Sequence, residues 1–256
     1  MCAVSARVQH WRMLLLLIAC ASPGEDCADF KAADSGMPAD YEPPAVSVIQ
    51  LLTDDGVTLE ADWYGHEYAS TAVLLLHMIP PGNDRTDWPV EWIESLRAEG
   101  LAVLALDRRG AGGSGGEASD AYDGPLGVND ANAAVDFVVE QGFPEVLVVA
   151  ASNGTTTALD YATSASPDRP EPRAMVWMSP GTYTTTNSDI EDLDTDELLF
   201  VYPPEEASWV DRVQRNQDPD QKWTYAQCEG GEHGTLMFAA YPEVAGIMTE
   251  WIAGTD

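Results

Sequence analysis

Five short runs of the 256-residue chain are apolar at nearly every position: TAVLLLH (71–77), LAVLALD (101–107), EVLVVAA (145–151), RAMVWMS (173–179) and ELLFVY (197–202). A strand that faces water on one side alternates apolar and polar residues. A strand covered on both faces does not need to. These runs therefore predict strands buried on both sides. The segments between them supply the cover. DWPVEWIESLRAEG (87–100) sets Trp88, Trp92, Ile93 and Leu96 on one helical face, with Pro89 in the first turn and Gly100 just past the end. VNDANAAVDFVVEQG (128–142) reads as a helix that stops at Gly142. Another helix opens near Asn153, and Val244, Ile247, Met248, Trp251 and Ile252 recur at helical spacing in the last segment.

Strands that alternate with helices imply a mostly parallel sheet with helices on both faces. Two runs that alternate around Asp-Asp-Gly, within 46–65, read as an antiparallel hairpin at one edge. KWTYAQC (222–228) reads as a last strand. The stretch between Pro180 and Leu198 is short and polar, so no large cap domain is expected. The expected fold class is α/β, in one domain over 45–256.

The segment before this domain has a different character. Residues 1–19 hold Arg7, Arg12 and no acid, and end in MLLLLIA, which is too short to span a bilayer. This reads as a signal peptide. LIAC, ending at Cys20, resembles the lipobox of bacterial lipoproteins. That resemblance implies cleavage before Cys20 and a lipid anchor on its sulfur, and Ala21 after the cysteine leans the implied destination to the outer membrane. ACA (19–21) also fits an ordinary cleavage that releases a soluble secreted or periplasmic protein, and an uncleaved anchor is a third reading. Residues 20–44 are small, acidic and rich in Pro and Gly, as expected of a flexible tether. With Cys2 in the leader and Cys20 lipidated, Cys27 and Cys228 remain, either as a disulfide or as two free thiols. No Cys/His pattern of a metal site is present.

The net charge of −31 becomes more negative without the leader arginines. Such a surface repels phosphate backbones, so nucleic acid is not an expected partner. The acids are spread along the chain and read as a solubility feature.

The central question lies in VVAASNG (148–154), where a β-branched run stops abruptly and a helix-compatible run follows. A serine at a sharp strand-to-helix turn has its hydroxyl exposed and the positive end of a helix close by, as acyl transfer requires. Ala150 and Gly154, two residues before and two after Ser152, are small enough for such a turn. The bland reading is a serine that only caps the helix. Three other segments lie around this one in a consistent order: LLLHMIPPGNDRTDW (74–88), ALDRRGAGGSGG (105–116) and GGEHGTLMF (230–238).

Together these segments resemble the α/β-hydrolase superfamily over nearly all of 46–256, in particular its single-domain esterases and dienelactone-hydrolase-like members. The resemblance implies a serine hydrolase that cleaves an ester or related acyl bond through an acyl-enzyme, carboxylesterase-like and without metal or organic cofactor. It places the nucleophile at Ser152 and the base at His233. Backbone N–H groups of Met78 and Asn153 would form the oxyanion hole, although glycine is usual where Met78 stands. The acid is expected after the strand ELLFVY, where family members carry Asp. Here Glu206 falls on that position, with Glu205 as the alternative. His77 is expected to be structural. The implied partner is a small-molecule acyl substrate, with the membrane reached through the lipid anchor. The competing class is a catalytically inactive lipoprotein that keeps the fold as a binding module. Two motifs are read as decoys. GAGGSG (110–115) matches a dinucleotide fingerprint but no helix opens directly after it. DLDTDE (192–197) has alternate acids but lacks the glycine and distal glutamate of a calcium loop.

Overall fold

In a computed structural model the five apolar runs are the central strands of one sheet, which has nine strands among the described residues. The structure describes residues 2–6, 38, 41–123, 125–164, 169–181, 190, 193, 195, 197–229 and 231–255. The strands are β1 (Cys2–Ala6), β2 (Ser47–Leu52), β3 (Thr58–Tyr64), β4 (Thr71–Leu76), β5 (Ala102–Leu106), β6 (Glu145–Ala151), β7 (Ala174–Met178), β8 (Leu198–Tyr202) and β9 (Thr224–Cys228). Their order across the sheet is β1-β9-β8-β7-β6-β4-β5-β3-β2. Strands β4 to β9 run parallel. The hairpin β2–β3 joins antiparallel beside β5, and β1 joins antiparallel beside β9. This is the α/β-hydrolase fold expected from the sequence.

Every residue of β4, β5, β7 and β8 is buried, which is why these runs carry no alternation. The helices are α1 (Val90–Ala98), α2 (Val128–Glu140), α3 (Gly154–Thr163), α4 (Ala207–Asn216), α5 (Met237–Ala240) and α6 (Glu243–Ala253). Helices α2, α3 and α4 pack on one face of the sheet, over a core that includes Leu74, Leu104, Val148, Trp177 and Phe200. Helices α1, α5 and α6 pack on the other, over Val73, Val103, Val149, Val176 and Val201. Alternate residues of each strand thus enter opposite cores. Removing a large side chain from either core, such as Trp177, costs about 3–5 kcal/mol.

Helix α4 was not read from the sequence. Its buried stripe is only Trp209, Val210 and Val213, and no side chain caps its start. Strand β1 falls inside the segment read as a leader, with Cys2 opposite Cys228 in the register. Cys228 is disulfide-bonded. Cys20 and Cys27, with most of the tether, lie outside the described residues, as does much of 192–197. No helix among the described residues is long and apolar enough to cross a membrane.

The glycine-rich turn after β5 is a structural joint. The buried Asp107 carboxylate accepts from the backbone N–H groups of Arg85 and Gly113, each at 2.8 Å. A Cβ on Gly112, at φ 51°, would lie 1.9 Å from Asp107 Oδ2. The next α-helix opens at Val128, well beyond the turn.

Candidate active site

Ser152 ends β6 with φ at 52°, in the left-handed region that a residue with a side chain rarely adopts. Its N–H donates to Met178 O of the neighbouring strand at 2.8 Å, and its carbonyl accepts from Thr155 N–H and from Thr155 Oγ1–H at 3.0 and 2.7 Å. These bonds hold the strained turn. Small neighbours make room for it. Ala150 is fully buried. A Cβ on Gly154 would lie 2.5 Å from Leu76 O and 2.6 Å from His77 O, so only glycine lets α3 begin so close to the end of β4. Ser152 therefore sits where α3 points its positive end.

His233 lies in the loop after β9. Its Nε2 is 2.6 Å from Ser152 Oγ, and its Nδ1 is 2.5 Å from Glu206 Oε1. Residues 54 and 81 positions apart along the chain thus form one continuous line of hydrogen bonds. Glu206 ends the short turn Pro204–Glu206 that leads from β8 into α4. Partial burial pushes its carboxyl up, but hydrogen bonds from His233 and Ser179 outweigh this, and the group sits below the usual carboxylate range. Glu205 is exposed and its carboxylate lies against Gly231 instead. Of the two glutamates left open by the sequence, Glu206 is the one that reaches the histidine.

Ser179 was not singled out in the sequence. It is fully buried at the end of β7, and it is the second non-glycine residue with positive φ, at 49°. Its Oγ accepts from Gly234 N–H at 2.8 Å, and its hydroxyl bonds the Glu206 side chain. It ties the histidine loop to the acid. No periodicity or motif marks it, because its role depends on three strands being neighbours.

The register of β4 and β6 sets Leu76 level with Ala150. Met78, two residues on, is therefore carried alongside Ser152. Among the described residues no hydrogen bond engages Met78 N–H or Asn153 N–H. The Met78 side chain is buried, with its sulfur lying across Gly234, where a Cβ would come within 2.5 Å. His77 is fully buried and structural. Its Nδ1–H donates to Met78 O at 2.8 Å and its Nε2 accepts from Arg108 N–H at 2.9 Å. Burial first, and then the Arg108 charge, push its pKa down to about 3. His66 accepts from Tyr68 N–H in a separate buried spot. Among the described residues no cluster of His, Cys, Asp and Glu could hold a metal ion.

A hydroxyl bonded to an imidazole, whose far nitrogen is held by a carboxylate, can lose its proton as the oxygen attacks. Residues 72–202 match the family model described as "Serine aminopeptidase, S33". Among solved structures the chain is similar to an esterase from Pyrococcus furiosus (18% identity, TM-score 0.63, covering 90% of this chain and 98% of that one). It is also similar to dienelactone hydrolase from Anabaena variabilis (17%, 0.64, 83% and 98%). A third is an esterase from Rhodococcus (15%, 0.63, 82% and 100%). At these identities the likeness is one of fold. No curated protein matches the chain.

Proposed function

The chain belongs to the family of hydrolases described as serine aminopeptidase, S33, and from that premise we propose that it is a serine-dependent esterase acting through an acyl-enzyme. The observation that carries this reading is the line from Ser152 Oγ through His233 to Glu206, at 2.6 and 2.5 Å, with the serine held at positive φ. Ser152 Oγ attacks the acyl carbonyl as its proton passes to His233 Nε2. The carbonyl oxygen, now negative, is met by Met78 N–H and Asn153 N–H and by the positive end of α3. The tetrahedral adduct collapses, and the leaving alcohol takes the proton from His233. Water then repeats the sequence on the acyl-enzyme and frees Ser152. Glu206 fixes the tautomer that leaves Nε2 free to accept, and it stabilises the imidazolium.

The substrate in this reading is a small acyl ester. Two observations support an apolar acyl or alcohol group. Ile79, next to Met78, and Leu236, three residues past His233, are exposed apolar side chains on the two loops that meet at Ser152. The named structural neighbours, two esterases and a dienelactone hydrolase, agree with this class. Turnover of p-nitrophenyl esters of graded chain length tests the proposal. Activity lost in Ser152→Ala is expected. A folded wild-type protein without turnover on any of them would favour the binding-module reading.

Export to the cell envelope is part of the same proposal. It is supported by the basic and apolar residues 1–19 and by LIAC ending at Cys20. Cleavage before Cys20 removes β1 and makes β9 the edge of the sheet. It also leaves Cys27 as the candidate partner for Cys228. The intact mass of the protein from a membrane fraction tests this: a mass gain on Cys20 is expected, and an unmodified or uncleaved chain contradicts it.

A further inference from the structure

Two arginines stand side by side after β5, and they are treated differently. Arg109 is held by carboxylates, with Nε 2.7 Å from Asp130 Oδ1 and Nη1 2.8 Å from Asp55 Oδ2. Arg108 is fully buried, yet among the described residues it bonds no carboxylate. Its guanidinium spends its donors on neutral groups around Ser152. Nη1 lies 3.2 Å from Met78 O and 3.4 Å from His77 O. Nη2 lies 3.0 Å from Asn153 Oδ1, 2.8 Å from Thr157 Oγ1 and 2.8 Å from Ala121 O. Nε has no partner. Asp130 and Asp160 favour its charge only through space, and burying a charge without a bonded carboxylate is expensive, a cost that Arg108 bears behind the nucleophile. Burial lowers its pKa to about 10, which leaves it charged at neutral pH.

We propose that Arg108 is a positioning residue that sets the oxyanion hole. Its one rigid fork joins the carbonyls on either side of Met78, those of His77 and Met78, to the Asn153 side chain, and so fixes the spacing of the two residues whose N–H groups meet the oxyanion. It also sets a full positive charge behind the site where negative charge develops. A planar guanidinium suits this because its two Nη atoms reach two elements at once, the loop after β4 and the first turn of α3. Preorganised donors in a water-poor site act on the transition state and little on bound substrate. The proposal rests on the esterase reading above.

The test uses the full chain, p-nitrophenyl acetate as substrate and phenylboronic acid as a probe that becomes tetrahedral on Ser152. Wild type, Arg108→Met and Arg108→Lys are compared for kcat, KM and phenylboronic acid affinity. For Arg108→Met, kcat is expected to fall about 100-fold, in the range for loss of one oxyanion donor. KM should stay near the wild-type value, and boronic acid affinity should weaken in step with kcat. Arg108→Lys keeps a charge but cannot bridge the two elements, and its kcat is expected to lie between those of wild type and Arg108→Met. Should Arg108→Met not fold, Arg108→Lys decides alone. Wild-type kcat in a folded variant, or a lower kcat with boronic acid affinity unchanged, overturns the proposal while the esterase reading stands. A wild-type protein with no turnover overturns both.

Discussion

At the scale of single residues, the two adjacent glutamates give the sharpest contrast. Glu206 reaches His233 and Glu205 does not. Glu206→Gln should lower kcat by about 10⁴-fold, as in triads whose acid becomes an amide, whereas Glu205→Gln should turn over like the wild type. Steady-state kinetics on the two variants checks this, and the opposite ranking would move the acid to Glu205. His77 makes a different prediction. Its folded pKa, about 3, is far below the ordinary 6.5. Between these values the unfolded chain binds a proton that the native protein refuses. Stability is therefore full above about pH 6.5 and falls as pH drops toward 3, by about 1.4 kcal/mol per pH unit from this group. Urea unfolding at pH 7 and pH 5 measures it, and a His77→Gln variant should lack this share of the slope. Much at this scale was legible in the sequence. Ser152, His233 and the pair of glutamates could be named because the four segments that carry the resemblance to α/β hydrolases stand in order along the chain, and few histidines compete for the base. The choice of Glu206 over Glu205 was not fixed, since it depends on where a turn aims two adjacent side chains. Ser179 and Arg108 carried no sequence mark, because their partners come from strands and loops distant in the chain.

At the scale of elements, helix α3 shows how packing replaces propensity. Thr155, Thr156 and Thr157 are poor interior helix formers, yet all three are buried. Thr155 bonds back to Ser152 O, and Thr157 accepts from Arg108. The helix stands because the sheet and the buried arginine hold it. Gly154→Ala should then cost about 2–3 kcal/mol, since the methyl meets backbone that cannot move aside, and lower the Tm by about 5–10 °C. Differential scanning calorimetry reads this directly, and an unchanged Tm would mean that β4 and α3 can separate. The loops show a matched pair. Met78 stands where the resemblance led one to expect glycine, and Gly234 lies beneath its sulfur. Gly234→Ala should lose activity by displacing His233. The strands were legible because burial on both faces makes them uniformly apolar. Helix α4 was not, because three buried residues are too few to set a period.

At the scale of the whole molecule, 43 acidic residues face 12 basic ones. Several of those arginines are spent inside, on Asp107, Asp130 and the loop after β4. The surface is therefore left to repel itself at low ionic strength. The Tm should rise as NaCl is raised from low levels past about 0.1 M, where screening reaches about 10 Å, and a Tm that falls instead would show that surface ion pairs outweigh the repulsion. The layered α/β architecture was readable from the alternation of apolar runs and helical segments, since those periods reflect burial directly. The edge strand β1 was not, because residues 2–6 read as part of a leader. The central claim is that Ser152 is the nucleophile, and the intact mass of the folded protein after reaction with a fluorophosphonate tests it most directly. A single adduct is expected, mapped to Ser152 and abolished in Ser152→Ala. A folded wild-type protein that takes no adduct, or takes it at another residue, would contradict it.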